Sequence, residues 1–327
     1  MHDTTYAPSP FTSSPSPPPP PTPPPTVTSK YTATVAKLSR MSVQKHFDAY
    51  RDVPWESEPI ERDDPRWALT PDDPLGATDW YRELRPTQRT ELGLTVLASQ
   101  LRIGVEFERV LARGLLELAT TLPPTAPEVR YAYHEIIEES QHSLMFLEVL
   151  RRTGLDAPGL GGLEAWFAAR VPALGRTFPE MFFLHVLGGE TPVDHLQRRA
   201  LQRGDALHPI MRRVMQIHVT EEARHVCFAE TFLDDRMPRL GRLQRLRLQL
   251  VAPFILFRTA RAMLRPPAKL LHAWNVPKAV VREAFETGTH HRQLMLDGVA
   301  PIRELCARLG ILTPTFTPLW RTLGIAG

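Results

Sequence analysis

Two motifs of the same spacing contain the residues of this sequence that are best suited to binding a metal ion. In each motif a glutamate precedes a histidine by three positions: Glu139 and His142 in the first, and Glu222 and His225 in the second. Residues three apart on an α-helix share one face, so each pair could offer a carboxylate and an imidazole to the same ion. Two such pairs on separate helices, with one glutamate from each of two other helices, can bind two metal ions through carboxylates.

A third histidine extends the second motif. His218 lies one turn before Glu222, on the same helix face. Carboxylates and imidazoles together suit iron or manganese better than softer metals. The extra imidazole would make the two metal positions unequal.

Long helices are needed to bring these motifs together, and the sequence predicts four of them. They are placed, in order, at about 87–121, 125–153, 179–203 and 209–236. An apolar stripe predicts the first helix, whereas a capping box of Thr125 and Glu128 opens the second and Gly154 ends it. More helix is predicted at about 242–265, 277–287 and 289–309, and no segment reads as a strand. We therefore predict an all-α fold, a ferritin-like four-helix bundle with additional C-terminal helices.

The first and third helices should each supply one glutamate to the site. On the first, the candidates are Glu106, Glu108 and Glu117, and Glu108 is preferred because it falls on the apolar stripe, whereas Glu106 shares a face with arginines. On the third helix, Glu190 follows a strongly apolar segment. Glu180 stands at the helix start, where a carboxylate simply favours the helix dipole.

The complete predicted ligand set contains four glutamates and three histidines. It is Glu108, Glu139, His142, Glu190, His218, Glu222 and His225. Four carboxylates balance the charge of two divalent cations, which matters because an unpaired buried carboxylate is very costly. The remaining histidines have no partner at ligand spacing and are read as ordinary packing or surface residues.

Composition divides the chain of 327 residues into two parts. Residues 1–40 contain a proline-rich run, predicted to be a disordered tail, and residues 41–327 are predicted to form one domain. The tail has no apolar core of a secretory signal, and no apolar run is long enough to span a bilayer. The two cysteines, Cys227 and Cys306, are too few for a disulfide framework and suit a reducing compartment. We therefore expect a cytoplasmic protein.

A basic stretch follows the second motif. From Arg236 to Arg282 there are eleven Lys or Arg and no Asp or Glu. It is either a solvated face or a docking surface for an acidic partner, such as a carrier domain or an anionic membrane. Arg239, Arg242 and Arg245 are expected on one side of a helix. No aromatic residues alternate with these charges as in a single-strand nucleic-acid platform, so nucleic acid is not expected as a partner.

The two motifs, with Glu190 placed 28 residues before His218, resemble the p-aminobenzoate N-oxygenase family of non-haem di-iron arylamine oxygenases. The added histidine is the specific part of the resemblance, which covers roughly residues 85–235. The resemblance implies that the seven residues bind two irons. It also implies that dioxygen is activated there and that an aromatic amine is oxidised toward a nitro group.

Several functional alternatives remain open at this point. The leading expectation is a di-iron monooxygenase that uses O2 and an external electron donor or reductase, since the sequence contains no flavin or nicotinamide motif. Its substrate would be a small aromatic amine or a carrier-bound molecule, and a homodimer is compatible with the sequence. The rivals are a non-catalytic ferritin-like metal-binding protein and a di-iron oxidase or desaturase that acts on an acyl or carrier-bound substrate.

Overall fold

The computed structural model describes residues 29–326, and every regular element within that range is helical. The α-helices are α1 (Lys30–Gln44), α2 (Asp79–Glu83), α3 (Pro86–Ala119), α4 (Pro127–Thr153), α5 (Gly162–Ala168), α6 (Pro172–Thr177), α7 (Pro179–Leu201), α8 (Pro209–Arg236), α9 (Arg242–Leu264), α10 (Ala268–Ala273), α11 (Lys278–Arg282), α12 (Thr289–Gly298), α13 (Ala300–Arg308) and α14 (Thr317–Thr322). The all-α prediction is confirmed. Among the described helices, none combines the length and apolar character that crossing a membrane requires.

Helices α3, α4, α7 and α8 form the four-helix core. Helix α3 packs along α4, α7 packs along α8, and the two pairs meet where α3 contacts α7 and α4 contacts α8. These helices lie close to their predicted bounds. Gly154 ends α4 with a left-handed backbone (φ 60°), a conformation in which glycine avoids the Cβ clash. The predicted capping box is wrong, because Ala126 precedes α4 without a side-chain hydrogen bond and Pro127 sets the first turn instead.

The predicted domain boundary at residue 40 is also wrong. Helix α1 begins at Lys30, where the Ser29 hydroxyl accepts a hydrogen bond from the Thr32 amide at 3.1 Å. Its Val35 and Leu38 are buried in the main core, and the helix packs on α4 and α8. Residues 30–40 therefore belong to the folded domain, while the proline-rich run lies outside the described residues.

The C-terminal helices are more interrupted than predicted. The segment expected as one helix from 289 to 309 is divided into α12 and α13, because Pro301 lacks the amide that a continuous helix would use. The segment 277–287 consists of α11 and a π-helical turn, Glu283–Thr287. Arg239 lies in a 3₁₀ turn before α9 and pairs with Asp235 at 2.7 Å, so the three arginines expected on one helix side do not share a helix.

Two apolar clusters pack on either side of the central turns of α4 and α8. One contains Tyr131 and Ala132 of α4 and Phe228 and Phe232 of α8. The other contains residues from the opposite ends of the same helices, including Met145 of α4. Both motifs lie between these clusters, so the packing that holds the bundle together also keeps water away from them.

Candidate metal centre

The structure brings all seven predicted ligand residues into the middle of the bundle. Glu108 comes from α3, Glu139 and His142 from α4, Glu190 from α7, and the remaining three from α8, each no more than 3 % exposed. Their oxygen and nitrogen atoms form overlapping groups in which ligand atoms lie within 4.8 Å of one another. Glu106 instead pairs with Arg109 near the surface at 3.0 Å.

Glu139 and Glu222 occupy the centre, between the imidazoles of the two motifs. Glu139 places one oxygen 3.1 Å from His142 Nδ1 and the other 3.1 Å from His225 Nδ1. Glu222 does the same, with both of its oxygens at 3.2 Å from these nitrogens. Each carboxylate therefore faces both histidines, so each could offer one oxygen to a metal ion held at either histidine.

His218 and Glu108 close one side of this centre. His218 Nε2 lies 3.3 Å from Glu108 Oε1 and 3.8 Å from Glu222 Oε1, and its ring centroid is 4.5 Å from that of His142. Glu190 also comes within ligand distance of His218 and Glu222. The third histidine of the sequence motif is thus part of the same cluster.

Two outer glutamates, Glu138 and Glu221, orient the motif histidines. His142 Nε2 donates a hydrogen bond to Glu221 at 3.0 Å, and His225 Nε2 donates one to Glu138 at 2.7 Å. The Arg224 guanidinium donates to Glu138 at 2.8 Å and to Glu221 at 3.4 Å. An imidazole that donates through Nε2 keeps Nδ1 directed at the centre, as outer partners of metal-bound histidines commonly ensure.

Sequence reasoning did not identify these outer glutamates, although a signal was present. Each motif contains two adjacent glutamates, Glu138–Glu139 and Glu221–Glu222, and only the second of each was used. A further buried glutamate, Glu135, was also missed; its carboxylate lies within ligand distance of Glu139 and His225.

The glutamates of the cluster carry more negative charge than its histidines can neutralise. Burial, followed by the charge of neighbouring glutamates, raises the pKa of Glu108 and of Glu190 well above the usual carboxyl range. Burial lowers the pKa of a histidine, but the surrounding carboxylates outweigh it and raise the pKa values of His142 and His225. Protons are thus drawn to the imidazoles, and two metal cations would satisfy the same carboxylates.

Several buried polar atoms of the cluster have no hydrogen-bond partner among the described residues. They are Glu108 Oε2, Glu139 Oε1, Glu190 Oε1, both oxygens of Glu222, His218 Nδ1 and His225 Nδ1. Buried polar atoms are nearly always paired in folded proteins, so this number of unpaired atoms within one cluster is explained by a bound cation. Hard carboxylate oxygens with imidazole nitrogens are a donor set that suits iron or manganese.

A second acidic group lies elsewhere and does not share these properties. Glu58, Asp64 and His208 come within ligand distance of one another. Arg66 forms ion pairs with both carboxylates, and His208 stacks on Trp67 with 4.6 Å between ring centroids. A guanidinium already supplies the positive charge there, so His208 keeps a packing role.

A cavity of about 90 Å³ reaches the cluster from the side of Glu108, Glu190 and His218. Its other walls are mainly apolar and include Phe107 and Phe146. A larger cavity of about 240 Å³ adjoins it, and both are lined by Gln100, Gln197 and several apolar residues. An organic molecule could therefore approach the cluster between α3 and α7.

Comparison with known proteins extends the match beyond the motifs. A family model described as p-aminobenzoate N-oxygenase AurF matches residues 28–310. Uncharacterized proteins of Mycobacterium bovis and Mycobacterium tuberculosis are each 38 % identical to this chain over 300 residues, which is 91 % of this chain and 88 % of each relative. The residues matched by the family model include α1, the four core helices and most of the C-terminal helices.

Proposed function

This chain belongs to the p-aminobenzoate N-oxygenase family, and we propose that it is a non-haem di-iron oxygenase that oxidises the nitrogen of an aromatic amine to a hydroxylamine or nitro group. The observation that carries the proposal is the convergence of four glutamates and three histidines, including His218, at the buried centre of the bundle. Two iron ions, with manganese as the alternative, would supply the activation of O2 when bound, with electrons from an external reductase.

The seven residues have distinct proposed roles. Glu139 and Glu222 would bridge the two ions, since each faces both motif histidines. His142 and His225 would each bind one ion through Nδ1, oriented by the outer glutamates. The other three ligands would complete the two coordination spheres.

The cavity beside the cluster supports an organic substrate. Its apolar walls suit an aromatic ring, and its inner end at Glu108, Glu190 and His218 would place a substrate nitrogen beside the metal ions. A protein that only stores metal needs no such space. Because the larger cavity adjoins the inner one, a small amine or one end of a carrier-bound molecule could reach the same position.

The test is a measurement of metal and reaction together. The purified protein loaded anaerobically with Fe(II) should hold close to two irons per chain. It should then consume O2 in proportion to hydroxylamine or nitro product when p-aminobenzoate or a panel of other arylamines is added with a reductant. Two bound irons without oxidation of any arylamine would contradict the proposed reaction and would favour a storage protein or an acyl oxidase.

Matched variants connect the activity to the site. His142→Ala should lose most of the metal because it removes a ligand between two carboxylates. His134→Ala is the control, since His134 lies on the same helix, outside the ligand groups. Equal metal content in the two variants would contradict the site.

A further inference from the structure

We propose that Glu135 is an eighth protein ligand of the dinuclear centre, at the metal position served by His225. The inference rests on the proposed two-metal site and goes beyond the seven residues that the motifs identify. Its basis is an internal correspondence between α4 and α8, together with the surroundings of the Glu135 carboxylate.

The two metal-binding helices contain the same pattern, which is longer than the motif of glutamate and histidine. Helix α4 contains Glu135-x-x-Glu138-Glu139-x-x-His142, and α8 contains His218-x-x-Glu221-Glu222-x-x-His225. In both, a residue able to bind metal lies four positions before the central glutamate, on the same helix face. Glu135 thus occupies on α4 the position that His218 occupies on α8.

The contacts follow this correspondence. His142 of α4 donates to Glu221 of α8, and His225 of α8 donates to Glu138 of α4. The ligand groups repeat it, since His142 and His218 gather with Glu108 in one group. His225 and Glu135 gather with Glu139 in another. His218 therefore comes within ligand distance of His142, and Glu135 comes within ligand distance of His225.

The Glu135 carboxylate forms no ion pair with a lysine or arginine among the described residues. It is 1 % exposed, and its Oε2 has no hydrogen-bond partner in the described residues. The buried guanidinium of Arg224, on α8, hydrogen-bonds to Glu138 and Glu221 and forms no ion pair with Glu135. A buried carboxylate without a counter-charge is strongly destabilising, and a metal ion bound at His225 is the cation that the site would provide.

The proposal changes the expected character of the centre. The third histidine alone would make the two metal positions unequal in the number of ligands. With Glu135 included, each metal position has one additional ligand from the helical turn before a central glutamate. At one position this ligand is the imidazole of His218, and at the other it is the carboxylate of Glu135. A hard, anionic oxygen donor favours the oxidised ion, so the two irons would differ mainly in donor type.

The experiment uses stepwise anaerobic Fe(II) titration against a competing chelator, together with Mössbauer spectra of the ⁵⁷Fe-loaded protein. Glu135→Gln keeps the size of the side chain and removes its charge. It should lower the affinity for one of the two irons by at least about tenfold, which is the smallest loss expected when only an outer partner of a ligand is removed. The spectrum of that iron should change while the other is retained, and His218→Ala should alter the opposite iron.

Two further variants distinguish a metal-binding role of Glu135 from a purely structural one. Glu135→His places an imidazole at both corresponding positions and should restore tight binding of two irons with a new spectrum, which a purely structural role would not produce. Glu230→Gln, a partly buried glutamate of α8 outside the ligand groups, is the control and should match the unmodified protein.

The outcomes distinguish this inference from the proposed function. If Glu135→Gln leaves both iron affinities and both spectra unchanged, Glu135 is not a ligand, although the di-iron oxygenase proposal stands. If the unmodified protein fails to bind two irons, both proposals fall. If Glu135→Gln folds poorly, the same spectra are recorded for Glu135→His, and an unchanged pair of iron sites there overturns the inference.

Discussion

Replacing Glu138 tests whether the outer hydrogen bonds are part of the metal centre. Its Oε2 accepts from His225 Nε2 at 2.7 Å, and its Oε1 accepts from Arg224 at 2.8 Å. Although burial opposes ionisation, His225 and Arg224 hold the pKa of Glu138 below its usual range, so the acceptor is an anion at neutral pH. A charged acceptor strengthens the hydrogen bond and makes Nδ1 of the same ring a better metal ligand.

The expected loss of metal affinity depends on whether a variant removes only the negative charge of Glu138 or the whole hydrogen-bond acceptor. Loss of an outer partner typically lowers metal affinity 10- to 100-fold, which is about 1.4 to 2.8 kcal/mol. Glu138→Gln keeps a neutral acceptor, so its loss of affinity should be near tenfold. Glu138→Ala removes the acceptor, so its loss should be near 100-fold. Chelator competition for Fe(II) measures both affinities, and Glu128→Ala, at the half-buried start of α4 and outside the ligand groups, is the control. Wild-type affinity in both Glu138 variants would refute the role of the hydrogen bond.

Three other perturbations have definite expected results. Gly189→Ala should destabilise the fold by about 1 to 3 kcal/mol in urea unfolding and weaken metal binding at the adjacent Glu190, because the new Cβ would lie 2.0 Å from Phe107 Cζ. A chain that begins at Ser29 should keep full stability, whereas one that begins at Ser42 loses two buried apolar side chains of α1, about 3 to 6 kcal/mol by urea unfolding. Two adjacent arginines lower the pKa of Glu148 from 4.5 to about 2, so its stabilising effect is complete above pH 4.5 and is lost as pH falls toward 2. Glu148→Gln should remove that part of the acid-unfolding curve.

The sequence predicted the four core helices well because each carries strong local signals. Proline opens α4, α7 and α8, and Gly154 closes α4, so these bounds are determined by single residues. Helix α1 was missed because it directly follows the proline-rich run and its apolar face is narrow. Its burial depends on grooves of α4 and α8 that no local pattern reveals.

The choice of Glu108 over Glu106 shows how far periodicity can lead toward a site. The apolar stripe of α3 placed Glu108 on the inner face, where the structure has it 3 % exposed, and Glu106 among the surface arginines. Glu138 and Glu221 could not be placed in the same way. Neighbouring residues on a helix point in different directions, and the partner of each outer glutamate is on the other helix.

The crossed hydrogen bonds connect the candidate metal centre to the fold itself. Each outer glutamate holds the histidine of the opposite helix, so a shift of α4 along α8 by one turn would break both contacts and separate the two central carboxylates. The apolar clusters on either side of the site resist such a shift, because they pack the ends of the same two helices. The seven residues therefore approach one another only in the folded bundle. The free energy of metal binding should accordingly add to the stability of that helix pairing.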